Sequence, residues 1–384
     1  MKILHLYSDW KWTGPAEPVL QMCRGLEDLG HDVLLAHCRD AFEVDESISK
    51  QVVKYGITAT ERFALDRHIP PFRTLGDLWG LPRFMASEQF DIVHMHLCHD
   101  HSFGGVCAKL LGRRRPTLIR TLHRRDVLKD SLGYNLQLRR LTDGFLTFTP
   151  GFRQTFIERF ALPPECVGIQ PMTVDLERFR PEREFRDMRS EFGIAPDAPV
   201  IGIVGRFQKY RKMDVFLEAA KQVISEAPET RFLVIGRSSQ IQDTVVRPCQ
   251  ELGIEKEVIL TGYRTEDYDD VIACLDVFSL LMPGFDGTAR AVREAMALAK
   301  PCVVSDFGML PEIVKHETCG LNAAMRPDAL AQAWLRMVRS PGERKAMGEA
   351  ARKDAEARFG MDQVGTCLVD FYRHMLDQRG KPGG

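Results

Sequence analysis

The sequence predicts an α/β protein made of two doubly wound domains, each a parallel sheet flanked by helices. Three observations carry this reading. The chain has 384 residues, more than the ~250–300 that one hydrophobic core usually organises. Short apolar runs rich in β-branched residues alternate with helical patterns along it, as in parallel βα units. That rhythm restarts at Val200-Ile201-Gly202-Ile203-Val204, after an arginine-rich stretch broken by Pro181, Pro196 and Pro199.

In the first half, strands are expected near residues 3–7, 33–36, 92–94, 117–121, 145–148 and 167–170. Helices are expected near 18–29, 75–87, 104–111, 136–141 and 152–160. In the second half, strand 200–204 leads to a helix at 214–226. There Val215, Phe216, Ala219, Ala220, Val223 and Ile224 form one apolar face at helical spacing. Strands follow near 232–235, 258–260, 277–281 and 302–304. The expected domains are 1–178 and 179–360, with 361–384 a helix and tail that packs back on the first domain.

Composition narrows the class. Lys and Arg number 52 against 53 Asp and Glu, with 44% hydrophobic and 27% charged residues. Such a balance belongs to globular proteins and argues against disorder, fibrous repeats and multi-span membrane proteins. No apolar run approaches the ~20 residues of a membrane helix. Met1-Lys2-Ile3-Leu4-His5-Leu6-Tyr7 turns polar too quickly for a secretory signal. The ten cysteines stand singly, without a CxxC pair, as reduced thiols in a cytosol do.

Ligands of open parallel sheets bind at the carboxyl ends of strands, so two such sheets in series are expected to share a cleft. The chemistry should then lie in strand-to-helix turns. One such turn holds Asp286 and Glu294, eight residues apart. Glu294 could accept from both hydroxyls of a ribose and Asp286 from hydroxyls of a sugar. The blander alternative pairs Glu294 with Arg290 and makes Asp286 a helix cap. A second turn, Asp306-Phe307-Gly308-Met309, precedes a helix opened by Pro311 and Glu312, where exposed amides suit a diphosphate. A third places Arg206 directly after a strand, with Lys209, Arg211 and Lys212 close behind. These cations either neutralise a leaving diphosphate or form a solvated loop.

Together these segments resemble the retaining glycosyltransferases of the GT-B fold, family 4. The family's E-x7-E signature and the run after it are similar to Asp286-x7-Glu294-Ala295-Met296-Ala297 and Lys300-Pro301-Cys302-Val303-Val304. Gly308-Met309-Leu310-Pro311-Glu312 resembles its Gly-Gly-x-Pro-Glu loop, and Gly205-Arg206 with Arg211-Lys212 its Gly-Arg…Lys-Gly loop. Thr13-Gly14 resembles the first-domain glycine loop. The resemblance implies two Rossmann-like domains facing a central cleft. It implies that Arg206 and a base at Arg211 or Lys212 meet the donor diphosphate. It also implies that Glu294 meets the ribose, and that Gly14 and the backbone of Gly308, Met309 and Leu310 surround the donor. His123, in Thr121-Leu122-His123, would face the donor sugar, and Asp286, where the family normally has Glu, would contact the transferred sugar. His123, Asp286 and Arg206 are thus the expected catalytic residues. No cofactor and no metal is expected, the nucleotide sugar being substrate, with a UDP-sugar placed ahead of a GDP-sugar.

Two clusters remain. His94, His96, Cys98, His99 and His101 could supply zinc ligands, but structural or substrate-lining histidines are the preferred reading. Between positions 109 and 140 lie ten basic residues against two acidic ones. They comprise Lys109, Arg113, Arg114, Arg115, Arg120, Arg124, Arg125, Lys129, Arg139 and Arg140. Such a stretch attracts anionic lipid or a phosphorylated acceptor, or is simply solvated. No nucleic-acid motif accompanies it, and no G-x-S-x-G elbow supports a hydrolase. The function expected is hexosyl transfer to a saccharide or lipid-linked acceptor of bacterial envelope glycans. The enzyme would work in the cytoplasm or peripherally at the inner face of the membrane. A nucleotide-sugar epimerase of the same fold and a non-catalytic nucleotide-sugar-binding protein are the alternatives.

Overall fold

The computed structural model describes residues 1–12, 16–39, 47–65, 71–122, 132–283 and 289–380. In it the alternating apolar runs become two sheets. The first contains β1 (Lys2–Tyr7), β2 (Asp32–His37), β3 (Ala59–Thr60), β4 (Ile92–Met95), β5 (Thr117–Thr121), β6 (Gly144–Thr147) and β7 (Val167–Ile169). Its order is β3-β2-β1-β4-β5-β6-β7. The second contains β8 (Val200–Gly205), β9 (Arg231–Gly236), β10 (Val258–Gly262), β11 (Val277–Leu280), β12 (Cys302–Ser305) and β13 (Gly320–Ala323), ordered β10-β9-β8-β11-β12-β13. Every pairing between these strands is parallel. Both sheets are doubly wound, because the chain reverses direction between β1 and β4 and again between β8 and β11.

The chain forms two compact units, Met1–Thr173 with Met361–Gly384, and Val174–Gly360. Within the first, helix Met361–Gly380 packs on helix Ala16–Asp28. Its Tyr372, Leu368 and Met375 enter the core beside Ile3, Leu26 and Ile119. In the second, β11 and β12 are buried along their whole length, as strands covered by helices on both faces must be. Trp334 lies fully buried there, its ring 5.0 Å from Phe216 and 5.4 Å from Phe232.

Three elements lacked a sequence signal. β3 is two residues long, too short to show a period. Helix Ile48–Tyr55 is defined mainly by its ends, with Ser47 accepting from Lys50 N and Gly56 closing it at φ 64°. β13 is a four-residue strand with Gly320 at φ 154° and polar Asn322 within it. The helix expected from 104 starts earlier, as a π-helical segment Asp100–Gly104 followed by Gly105–Lys109.

One glycine governs the end of the second sheet. Gly236 pairs with Gly205 in register and holds φ 141°. A Cβ there would sit 2.0 Å from Gly205 O, so only glycine lets β9 end against β8. Gly236→Ala is therefore expected to cost about 1–3 kcal/mol through overpacking and strain. Urea unfolding measures it, and an unchanged midpoint would contradict the packing described.

Candidate functional site

The carboxyl ends of β8, β11 and β12 are neighbours across the reversal of the second sheet, the position where open α/β sheets bind ligands. Two hydroxyls tie β11 to β12 there, Ser279 Oγ donating to Val303 O at 2.8 Å and Ser305 Oγ donating to Leu281 O. Arg206 follows β8 directly and is exposed. Arg211 is half-buried, and its Nη1 donates to Met282 O at 2.7 Å, binding the loop after β8 to the loop after β11. Its Nε is buried without a partner among the described residues. Lys212, exposed, holds φ 59° and Ala289 holds φ 44°. Left-handed backbone at residues with a Cβ costs about 1–3 kcal/mol each and gathers at functional sites. Here it marks the two turns that lead into helices Met213–Glu226 and Arg290–Ala297.

Glu294 projects from the second turn of helix Arg290–Ala297 and is only 3% exposed. Tyr268 Oη donates to its Oε2 at 2.8 Å, and Arg290 Nε donates to its Oε1 at 2.5 Å. The i−4 ion pair of the blander reading is thus formed. It leaves the carboxylate further lone pairs, because each oxygen accepts more than one hydrogen bond. Burial, and next the adjacent Glu294 carboxylate, hold the Tyr268 phenol well above its usual range, so it remains a donor. Sequence reasoning missed Tyr268, which lies far from Glu294 along the chain and belongs to no motif.

After β12, Gly308 takes φ 62° and Met309 precedes the short helix Leu310–Ile313. The Leu310 amide donates to Phe307 O at 3.3 Å, and its side chain is buried. Gly308 is exposed and Met309 half-buried at the same strand end. The structure therefore brings Arg206, Arg211, Lys212, Glu294, Gly308, Met309 and Leu310 to three adjacent strand ends. Gly14, His123 and Asp286 lie outside the described residues, as do Arg124, Arg125 and Lys129 of the basic stretch and the 381–384 tail.

In the first unit the histidine cluster is rearranged. His94 and His96 meet His5, which pairs with His94 in register. His5 Nδ1 lies 2.9 Å from His96 Nε2, and His94 bonds Tyr372 Oη and Thr121 Oγ1 at 2.6 Å each. The three offer ligand atoms within 4.8 Å of one another, yet both His94 nitrogens are already engaged by hydroxyls. His101 bonds Thr142 Oγ1, and His99 stacks on Phe103, so neither joins them. The alternation of β1 could have revealed His5, since Ile3, His5 and Tyr7 share a face. Asp100, buried, accepts from the amides of Ser8, His96 and Leu97.

Two outcomes follow from these bonds. Tyr268→Phe strips a buried carboxylate of a donor and should cost about 1–3 kcal/mol in urea unfolding; no loss would show that Glu294 does not depend on it. Burial pushes His5 and His101 down to about 3. They are neutral in the fold but protonate near 6.5 once unfolded, so the unfolded chain binds more protons between those values. Each then withdraws about 1.4 kcal/mol per pH unit below 6.5. Asp100, raised by burial to about 6, opposes this over a narrower span. The melting temperature should fall from pH 6.5 to 4.5, and less steeply in His101→Gln; equal slopes would contradict the assignment.

Comparison with known proteins agrees with this architecture. Residues 184–354 match the family described as glycosyl transferases group 1, and residues 13–178 match glycosyltransferase family 4. A UDP-Gal:alpha-D-GlcNAc-diphosphoundecaprenol alpha-1,3-galactosyltransferase of Escherichia coli is 25% identical, covering 71% of this chain and 73% of its own. The N-acetyl-alpha-D-glucosaminyl L-malate synthase of Bacillus anthracis is 23% identical, over 77% and 78%. A solved glycosyltransferase of Rickettsia africae superposes with a TM-score of 0.82 at 15% identity, over 98% of both chains. Anabaena HepE, solved in complex with UDP, superposes at 0.76 and 17% identity, over 96% and 99%. The chain belongs to the group 1 glycosyltransferases, with the GT-B type of fold and a family 4 first half.

Proposed function

We propose that the enzyme transfers a hexose, with retention of anomeric configuration, from a nucleotide-sugar donor to a saccharide or lipid-linked acceptor of bacterial envelope glycans. The observation that carries this is the buried Glu294 carboxylate beside the cations that follow β8, all at the reversal of the second sheet. Glu294 would accept from the ribose hydroxyls, while Arg206 with Arg211 or Lys212 would balance the diphosphate. Gly14 and the backbone of Gly308, Met309 and Leu310 would enclose the donor, with His123 and Asp286 at the transferred sugar. A UDP-sugar is placed ahead of a GDP-sugar. The UDP-Gal donor of the Escherichia coli relative and the UDP bound in the Anabaena neighbour support that order.

The bond from the anomeric carbon to the diphosphate oxygen breaks as the acceptor oxygen bonds the same face. The acceptor proton passes to the departing diphosphate, whose growing charge Arg206 stabilises. This chemistry calls on no metal and no cofactor. Among the described residues no helix is long and apolar enough to cross a membrane, and action in the cytoplasm or at the inner membrane face is part of the proposal.

Release of UDP from a panel of UDP-sugars, with and without envelope glycolipid, tests the reading. Acceptor-dependent release should fall on the order of 10²-fold in Arg206→Ala and in Glu294→Ala, with wild-type circular dichroism. Turnover at the wild-type rate in either folded variant would remove the site assignment, and stabilisation against heat by GDP but not UDP would reverse the donor.

A further inference from the structure

The helix that carries Glu294 ends in a way that its own segment does not complete. The last four carbonyls of an α-helix have no partner inside it. Here Leu298 N donates to Glu294 O, Lys300 N to Ala295 O and Ala299 N to Met296 O. The carbonyl of Ala297 is left over, and it accepts from Arg352 Nη1 at 2.8 Å. Arg352 belongs to a different helix, Pro341–Phe359.

That helix meets the end of the Glu294 helix at very short range. A Cβ on Gly348 would sit 2.1 Å from Ala299 O, so the missing side chain admits the neighbouring backbone. Gly348, Arg352, Ala355 and Phe359 recur at three- and four-residue spacing and share one face. Phe359 is buried, and the guanidinium of Arg293, the residue before Glu294, lies 5.0 Å from its ring centroid. The same Nη1 of Arg352 also donates to Phe179 O at 2.9 Å and to Leu176 O at 3.4 Å. Both carbonyls belong to the segment by which the chain enters the second unit at Val174. Val174 N in turn donates to Phe359 O at 2.8 Å, one residue before that unit ends. One nitrogen thus ties the end of the Glu294 helix to a segment far from it in sequence.

We propose that Arg352 is a positioning residue for ribose recognition, acting through Glu294 rather than on the donor. Tyr268 and Arg290 hold the carboxylate itself, whereas Arg352 holds the helix that presents it. Hydrogen bonds weaken steeply with distance and angle, so a helix end released by about 0.5 Å no longer offers the carboxylate to both ribose hydroxyls at once. The inference rests on the reading of Glu294 as the ribose acceptor, and the two can fail separately.

Calorimetric titration of UDP and of its 2′,3′-dideoxy analogue, which lacks both hydroxyls, tests it. The wild type should prefer UDP by about tenfold or more. Arg352→Gln should lose about fivefold of that preference, the effect of one hydrogen bond, through weaker binding of UDP and unchanged binding of the analogue. Arg352→Lys, a charged donor on a shorter stem, should fall between the two. It carries the test if the glutamine variant does not fold, as circular dichroism reports. A wild-type protein without any preference would remove the ribose reading, and this inference with it. A wild-type preference kept in the folded variants would overturn the positioning role and leave the reading of Glu294 in place. So would equal weakening of both ligands, the outcome for a cap that serves stability alone.

Discussion

A carboxylate removed from water is the constraint on which the second unit is organised. Burying it unpaired would cost several kcal/mol, so Glu294 requires both the Tyr268 hydroxyl and the Arg290 guanidinium. Satisfying both fixes the rotation of helix Arg290–Ala297. Val292, Ala295 and Met296 then fall into the core, and Arg293 lies over the ring of Phe359. A ligand at these strand ends meets a negative group already held in place, with cations on the adjacent strand.

Much of this was legible in the sequence, because the signals were local. Strand runs of β-branched residues, the apolar face of helix Met213–Glu226 and the order of the site loops all follow from spacing along one segment. The i,i+4 pair of Arg290 and Glu294 could be read as well. Signals between segments could not. Nothing near Tyr268 announces that it bonds Glu294, and nothing near Ser305 that it reaches Leu281 O. Gly236 looked ordinary until its approach to Gly205 O made it obligatory.

The first unit shows the same limit in its charged residues. A run of ten basic side chains suggested one patch, but its members divide. Arg115 is consumed by Asp143 and Arg120 is buried in β5, whereas Arg113, Arg114, Arg139 and Arg140 face solvent. The histidines divide likewise, with His94 and His96 turned inward to His5 and His99 turned to Phe103. Strand alternation decides the first pair, and the helical turns after β4 decide the others. Net charge near zero described neither arrangement.

The proposed contact between Glu294 and the ribose of the donor nucleotide is the one on which donor binding turns. Calorimetric titration of UDP and of its 2′,3′-dideoxy analogue into the wild type and into Glu294→Ala closes a double-mutant cycle. Losing the hydroxyls should weaken binding to the wild type by about 1.5–3 kcal/mol, as for hydrogen bonds to a charged group, and barely affect the variant. Equal losses in both proteins would contradict it.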